Sequence, residues 1–256
     1  MSDRLLRFDD WISPVPPVER EVVSRLVVDG EADAEQPPLL FVCGPRHGAW
    51  AFAERWLGHA AQRGFPAYAL TPREQGDLRA HVHDVVQVAA SLPTQAVLIG
   101  HGEGAPVVSR ALGRYPARAA VLAAPAPSRW ASFKTNPVGT LPALFAGKWR
   151  LNRRQLFSAE LPVEEADAYR ERMTFGRRLT IPKNLTSPVG DPPVLVIGSP
   201  DDRIVPRKTL DRTAAEYGGA PLLFPGMGHD LMLDAGWAEP IDAILDWLTK
   251  QLSAPR

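Results

Sequence analysis

Short apolar runs punctuated by glycine, proline and polar residues set the rhythm of this chain. Four of them are continuous rather than alternating: Leu39–Cys43 (LLFVC), Ala96–Gly100 (AVLIG), Ala119–Ala123 (AAVLA) and Val194–Gly198 (VLVIG). Unbroken apolar runs of that length read as strands covered on both faces, as in a parallel sheet between two helical layers. Two weaker runs, Ala67–Thr71 and Pro221–Phe224, extend the same sheet. Between them lie helical patterns at Trp50–Arg63, Leu78–Leu92, Glu103–Tyr115, Arg207–Tyr217 and Trp237–Leu252. Strand and helix alternate, which predicts an open, mostly parallel α/β sheet with helices on both faces. The early segment Arg20–Asp29 adds an antiparallel strand or hairpin at one edge.

The alternation fails over Pro125–Asp191, where helical patterns run without a strong strand. In an open α/β sheet ligands bind beyond the carboxyl ends of the strands. A helical insertion there would cover the site as a cap. Phe145, Trp149, Leu156, Phe157 and Met173 supply its apolar side, and Arg150, Arg153 and Arg154 read as a solvated basic face. The 256 residues, 45% of them apolar, are read as a single domain, residues 1–256, carrying this insertion.

Charge and cysteine content narrow the function classes. Lys plus Arg equals Asp plus Glu at 29 each, so the basic excess of a nucleic-acid binder is missing. One cysteine, Cys43, allows neither an internal disulfide nor a multi-cysteine zinc site. The first residues, MSDRLLRFDDWISPVPP, have no apolar run suited to a signal peptide, and no stretch has the length of a membrane span. The expected setting is cytoplasmic, with a small molecule as partner and neither nucleic acid nor membrane. There is no H-E-x-x-H or acidic metal motif, and Gly100–Gly104 lacks the Lys-Ser/Thr of a phosphate loop, so neither metal nor cofactor is expected.

Three motifs carry chemistry. Gly100-His101-Gly102-Glu103-Gly104-Ala105 follows one strand and opens a helix. Ser199-Pro200-Asp201-Asp202-Arg203-Ile204-Val205-Pro206 follows another, and Gly226-Met227-Gly228-His229-Asp230 follows the last short strand. Strand, glycine-rich turn and helix, then an acid, then a histidine, is the order of an elbow-type hydrolase. From about Leu39 to Leu252 the chain resembles the α/β-hydrolase family, most of all its small capped esterase and lipase-like branch.

The resemblance implies a role for each matching position. His229 falls at the general base and Asp202 at its acid partner, with Asp201 as the fallback. Gly102 falls at the nucleophile, where a glycine has nothing to attack with. The backbone N–H of Glu103 falls at the oxyanion donor, and Gly44–Trp50 (GPRHGAW) at the oxyanion loop. Cys43-Gly44 stands where the family commonly has His-Gly. The candidate oxyanion or substrate residues are therefore Glu103, Cys43, Gly44, His47 and Trp50.

Other residues have plainer readings. Cys43 reads as a buried structural thiol. The Glu103 carboxylate suits a helix N-terminus. His47 reads as an exposed loop histidine, His101 as a packed one bonded within its turn, and His59 as a surface residue. His81 and His83 point apart.

Without a hydroxyl at position 102, covalent serine chemistry is closed. Three readings remain open. His229 and Asp202 perform non-covalent acid–base work on a lipophilic carbonyl or ester compound, of hydrolase, lyase or cyclase type, with room for about one water where the serine would be. Alternatively, the chain is a non-catalytic pseudo-hydrolase that binds a ligand or partner. In the third reading, it is a serine esterase or lipase whose nucleophile has been replaced.

Overall fold

The computed structural model describes residues 21–26, 36–44, 46–126, 151–174 and 187–253. Seven strands form one sheet: β1 (Val22–Arg25), β2 (Leu39–Val42), β3 (Ala67–Leu70), β4 (Val97–His101), β5 (Ala119–Ala123), β6 (Val194–Gly198) and β7 (Leu222–Leu223). Their spatial order is β1-β3-β2-β4-β5-β6-β7. β1 runs antiparallel to β3 at the edge, and every other pairing is parallel. The apolar runs thus become strands to within about a residue at their ends, the usual uncertainty of element boundaries.

Alternation along each buried strand divides the core into two. Leu39, Phe41 and Cys43 face one apolar cluster, and Leu40 and Val42 face the other. The second cluster is closed by α3 (Leu78–Ser91) and α4 (Gly104–Ala111). α3 buries Leu78, Val82, Val85 and Val88 on one stripe, and Asp77 caps its start by accepting the Ala80 N–H at 3.0 Å. The first cluster is closed by α1 (Trp50–Ala53), α2 (Trp56–Gln62) and α8 (Ala238–Ser253), and α7 (Arg207–Glu216) adds Leu210 and Ala214 to the second.

One predicted helix, Trp50–Arg63, is instead two. The break falls at Glu54 and Arg55, whose side chains turn to pair with Arg172 and Glu165 of the segment between β5 and β6. Such long-range pairings are invisible to a helical period. A buried Arg73–Asp84 pair, bidentate at 2.6 Å for both bonds, pins the β3–α3 loop to α3 and also escaped the sequence reading.

Between β5 and β6 the described residues hold α5 (Arg153–Leu156) and α6 (Val163–Arg172). Asn152 and Gln155 form a capping box at the start of α5. α6 lies against α1: Tyr169 stacks on Trp50 at 6.3 Å between centroids, and the Arg172 guanidinium sits 4.1 Å from the Trp50 ring centre. Leu156, Phe157 and Met173 join the first core cluster as expected of an apolar underside, while Arg153 and Arg154 are not buried. Phe145, Trp149 and Arg150 lie outside the described residues. Among the described residues no helix is long and apolar enough to cross a membrane.

Candidate active site

Strand order reverses between β2 and β4, since the chain goes from β2 outward to β3 and returns to β4 on the other side. Crevices at such points, beyond the carboxyl ends of the strands, are where α/β sheets take ligands. The loop after β2 and the turn after β4 flank this crevice.

The turn after β4 is shaped by its outer glycines. A Cβ on Gly100 would lie 2.6 Å from the Ala105 Cα, and one on Gly104 would lie 2.2 Å from the Val42 carbonyl oxygen. Only a bare backbone lets α4 come this close to β2 and β4. Gly102 differs. Its φ is +56°, and the space where a Cβ would project is bounded by His229, with Nε2 at 3.3 Å.

His229 is carried by the loop after β7. Its Nδ1 bonds Asp202 Oδ2 at 2.8 Å, with the two side chains 8% and 1% exposed. Asp202 Oδ1 accepts the N–H groups of Ile204 and Val205 at 2.7 and 3.0 Å, so the carboxylate is locked by its own turn. The fallback acid, Asp201, instead accepts the Gly226 N–H at 2.7 Å and braces the loop. Burial works against a charged His229, but the Asp202 carboxylate and its hydrogen bond, helped by Asp230 and Glu103, hold its pKa above the ordinary value.

A second buried pair stands behind the first, and here two expectations are corrected. His47 is buried, not exposed, and its Nε2 bonds Asp230 Oδ2 at 3.0 Å. His101 does not bond within its turn. Its Nε2 reaches the His229 carbonyl at 3.0 Å, and its ring lies 4.9 Å from the His229 ring. A carbonyl only accepts, so His101 Nε2 carries the hydrogen and Nδ1, buried without a partner, is the bare nitrogen. Burial would raise the Asp230 carboxyl, yet the neighbouring His47 brings it down to about 2. His101, His229 and Asp230 also bring ligand-type atoms within 4.8 Å of one another, a cluster that no sequence spacing announced. Asp230 was missed although it adjoins His229; an acid next to the base was the available signal.

Burial lowers the His101 pKa to about 4, and the His229 charge adds to this. A histidine with an unfolded pKa near 6.5 then binds a proton more readily unfolded than folded. Its contribution destabilises the fold as pH falls from about 6.5 to about 4. His229, with its pKa raised, contributes stability that is lost as pH rises, so its window lies above that one. Denaturant unfolding of His101→Gln between pH 6.5 and 4 is expected to show a smaller acid loss than the wild type, by about 3 kcal/mol. Equal pH dependence in both proteins would refute this assignment.

Three more candidates have surroundings that the motif alone does not show. Cys43 is buried, its Sγ donates to the His47 carbonyl at 3.0 Å, and burial drives its thiol far above the usual range. It serves the loop's shape rather than reacting. Trp50 is engaged by Tyr169 and Arg172 and so joins α1 to α6. Glu103 stands at the N-cap of α4 but makes no side-chain cap bond.

The loop after β2 approaches the elbow at Gly44, where a Cβ would lie 3.4 Å from the Glu103 nitrogen. Three of its positions offer no free amide donor. Proline at position 45 has no N–H. The His47 N–H bonds the Gly44 carbonyl at 3.1 Å, and the Ala49 N–H bonds Thr71 Oγ1 at 2.8 Å.

The segment between β5 and β6 is tied to both sides of the crevice. The Thr174 N–H bonds the Arg46 carbonyl at 2.9 Å on the β2 loop. On the histidine loop, the Asp230 N–H bonds the Leu156 carbonyl at 2.9 Å, and Ser158 gives Asp234 bonds of 2.9 Å from its N–H and 2.6 Å from its hydroxyl.

Solved structures with this fold include a monoacylglycerol lipase from Paleococcus ferrophilus, 19% identical, with a TM-score of 0.66 over 91% of this chain and 100% of that one. A soluble variant of the monoglyceride lipase of Saccharomyces cerevisiae is 14% identical, with a TM-score of 0.67 over 94% of this chain and 97% of that one. An esterase from Exiguobacterium antarcticum is 13% identical, with a TM-score of 0.64 over 90% and 94%. At such identities the likeness concerns the fold. No curated protein matches the sequence. The model of the alpha/beta hydrolase family matches residues 39–246, most of the chain. With that match, the seven-stranded sheet and the elbow between β4 and α4, the chain belongs to the alpha/beta hydrolase family.

Proposed function

We propose that this chain is a small-molecule enzyme in which His229, oriented by Asp202, moves a proton without a covalent intermediate. One observation carries the reading: His229 Nε2 stands 3.3 Å from the position a Cβ would take on Gly102, with Asp202 bonded to the opposite ring nitrogen. A base is thus aimed at the place of an absent nucleophile. Asp202 holds the hydrogen on Nδ1, which leaves Nε2 as the acceptor. The proton comes from a water in that place or from the substrate itself, and the negative charge that develops faces the Glu103 amide at the start of α4.

The fold relatives named as lipases and esterases make a lipophilic ester or related carbonyl compound the substrate class we infer. The apolar segment between β5 and β6 serves in this reading as the cap, within a single domain. As proposed, the step uses only side chains of this chain, takes a small molecule rather than nucleic acid, and occurs in the cytoplasm.

The test is a panel of short-chain esters and lipophilic ketones offered to the wild type and to His229→Ala. Turnover by the wild type is expected to fall by roughly 10²–10⁴-fold in the variant. A serine-directed phosphonate should leave the wild type unlabelled. Full turnover by His229→Ala would reject His229 as the base, and no turnover of any compound by the wild type would favour a binding protein.

A further inference from the structure

The space over Gly102 has a definite chemical character, set by one atom and three charges. His229 Nε2 faces it at 3.3 Å from the absent Cβ, and its side chain is 8% exposed. Among the described residues, no hydrogen-bond partner of that nitrogen is found, whereas Nδ1 is bonded to Asp202. With the hydrogen held on Nδ1, the neutral ring offers a lone pair at Nε2 and calls for a donor.

The groups around the ring choose between donors and anions. Asp202 bonds it, Asp230 follows it in the chain, and Glu103 stands at the elbow; all three act on His229 as negative charges. The uncharged His101 ring lies against it at 4.9 Å, and His47 Nε2 meets Asp230 Oδ2 at 3.0 Å from behind. Three carboxylates oppose a ligand that arrives already anionic. They favour a neutral one that gives up its proton only after binding, because they stabilise the imidazolium formed in that step. The new negative charge on the ligand then sits at the amino end of α4, which runs for eight residues from Gly104 to Ala111.

Resting on the reading of His229 as a base, we infer that the space over Gly102 is a hydroxyl site, which takes an alcohol or enol O–H of the ligand as hydrogen-bond donor to His229 Nε2. In the proton transfer the O–H bond breaks and its hydrogen passes to Nε2. The bonding pair stays on the oxygen, giving an alkoxide or enolate and an imidazolium. The same proton returns to the product, so the ring ends neutral and no co-reactant is needed. The substrate is thus a compound that presents an alcohol or enol O–H to the ring.

The test measures binding, not turnover. The nitrogen resonance of His229 Nε2 is followed at neutral pH while phenol, benzoate or fluorobenzene is added to the full chain. Phenol keeps its proton at this pH, benzoate is an anion, and fluorobenzene has no donor. Phenol is expected to shift the resonance saturably in the millimolar range, with benzoate and fluorobenzene at least about tenfold weaker. The phenol response should vanish in Gly102→Ser, whose own hydroxyl takes the place.

Benzoate or fluorobenzene binding as well as phenol, or no response to phenol up to its solubility limit, overturns the inference with wild-type protein alone. A response that survives in Gly102→Ser overturns it too. The two readings fail separately. No phenol site with turnover still dependent on His229 removes the hydroxyl site only. A phenol site with turnover indifferent to His229 removes the base only.

Discussion

Gly102→Ser is expected to become labelled stoichiometrically by a serine-directed phosphonate, which leaves the wild type unlabelled, and to hydrolyse chromogenic esters far faster than the wild type. The parts it needs are in place. His229 Nε2 lies 3.3 Å from the future Cβ, Asp202 holds the other ring nitrogen at 2.8 Å, and φ at position 102 is already +56°. A serine there would bear the strain of a left-handed residue, about 1–2 kcal/mol. The imidazole must also give way by a few tenths of an ångström. In subtilisin, removing the nucleophile lowers kcat by about 10⁶. Restoring one here should recover less, roughly 10³–10⁵-fold over the wild type, because the β2 loop is short of amide donors at Pro45, His47 and Ala49. A serine variant that neither labels nor turns over would mean that the site has departed from esterase geometry by more than one hydroxyl, and would count against His229 as a working base.

The same residues show what a sequence can and cannot disclose. Unbroken apolar runs located β2, β4, β5 and β6, because a strand buried on both faces has no other way to be written. The edge strand Val22–Arg25 was legible from its β-branched residues and pairs antiparallel with β3. Gly100 and Gly104 were legible as glycines, though only the folded chain shows that each is pressed against backbone. The acid was harder, since Asp201 and Asp202 are neighbours and spacing alone left both in play. Their turn decides it, aiming one carboxylate at His229 and the other at the Gly226 amide.

What stayed hidden depends on pairings between distant parts of the chain. His47 and Asp230 are 183 positions apart, and nothing local marks a loop histidine as buried. Trp50 looked like a pocket residue by its motif, yet its ring is covered by Tyr169 and Arg172 of a helix more than a hundred residues on. The break between α1 and α2 falls at Glu54 and Arg55, whose partners Arg172 and Glu165 lie more than a hundred residues on. Periodicity reports which side of an element is buried, and it is silent on what lies against that side.

Gly104→Ala should do the reverse of Gly102→Ser, two residues away. Its Cβ would meet the Val42 carbonyl oxygen at 2.2 Å and the carbon of that carbonyl at 2.8 Å. Both belong to backbone at the end of β2, a strand paired on both sides and buried along its length. No side-chain rotation relieves such a contact, so α4 must back away from the sheet. That opens the packing of Ala105, Val107 and Val108 on the second core cluster and displaces the elbow from His229. The expected loss is at least about 3 kcal/mol, at the upper end of overpacking effects. For a chain of this size that is a fall of roughly 6–12 °C in Tm. Gly58→Ala is the matched control, since it lies within α2 with nothing within 4 Å of its Cβ position. Removing a helical glycine there should raise stability by about 0.5–1 kcal/mol. Equal Tm values for the wild type and Gly104→Ala would show that α4 does not need its close approach to β2. Gly102 would then stand in a turn with room to move, and its alignment with His229 would no longer be held by the fold.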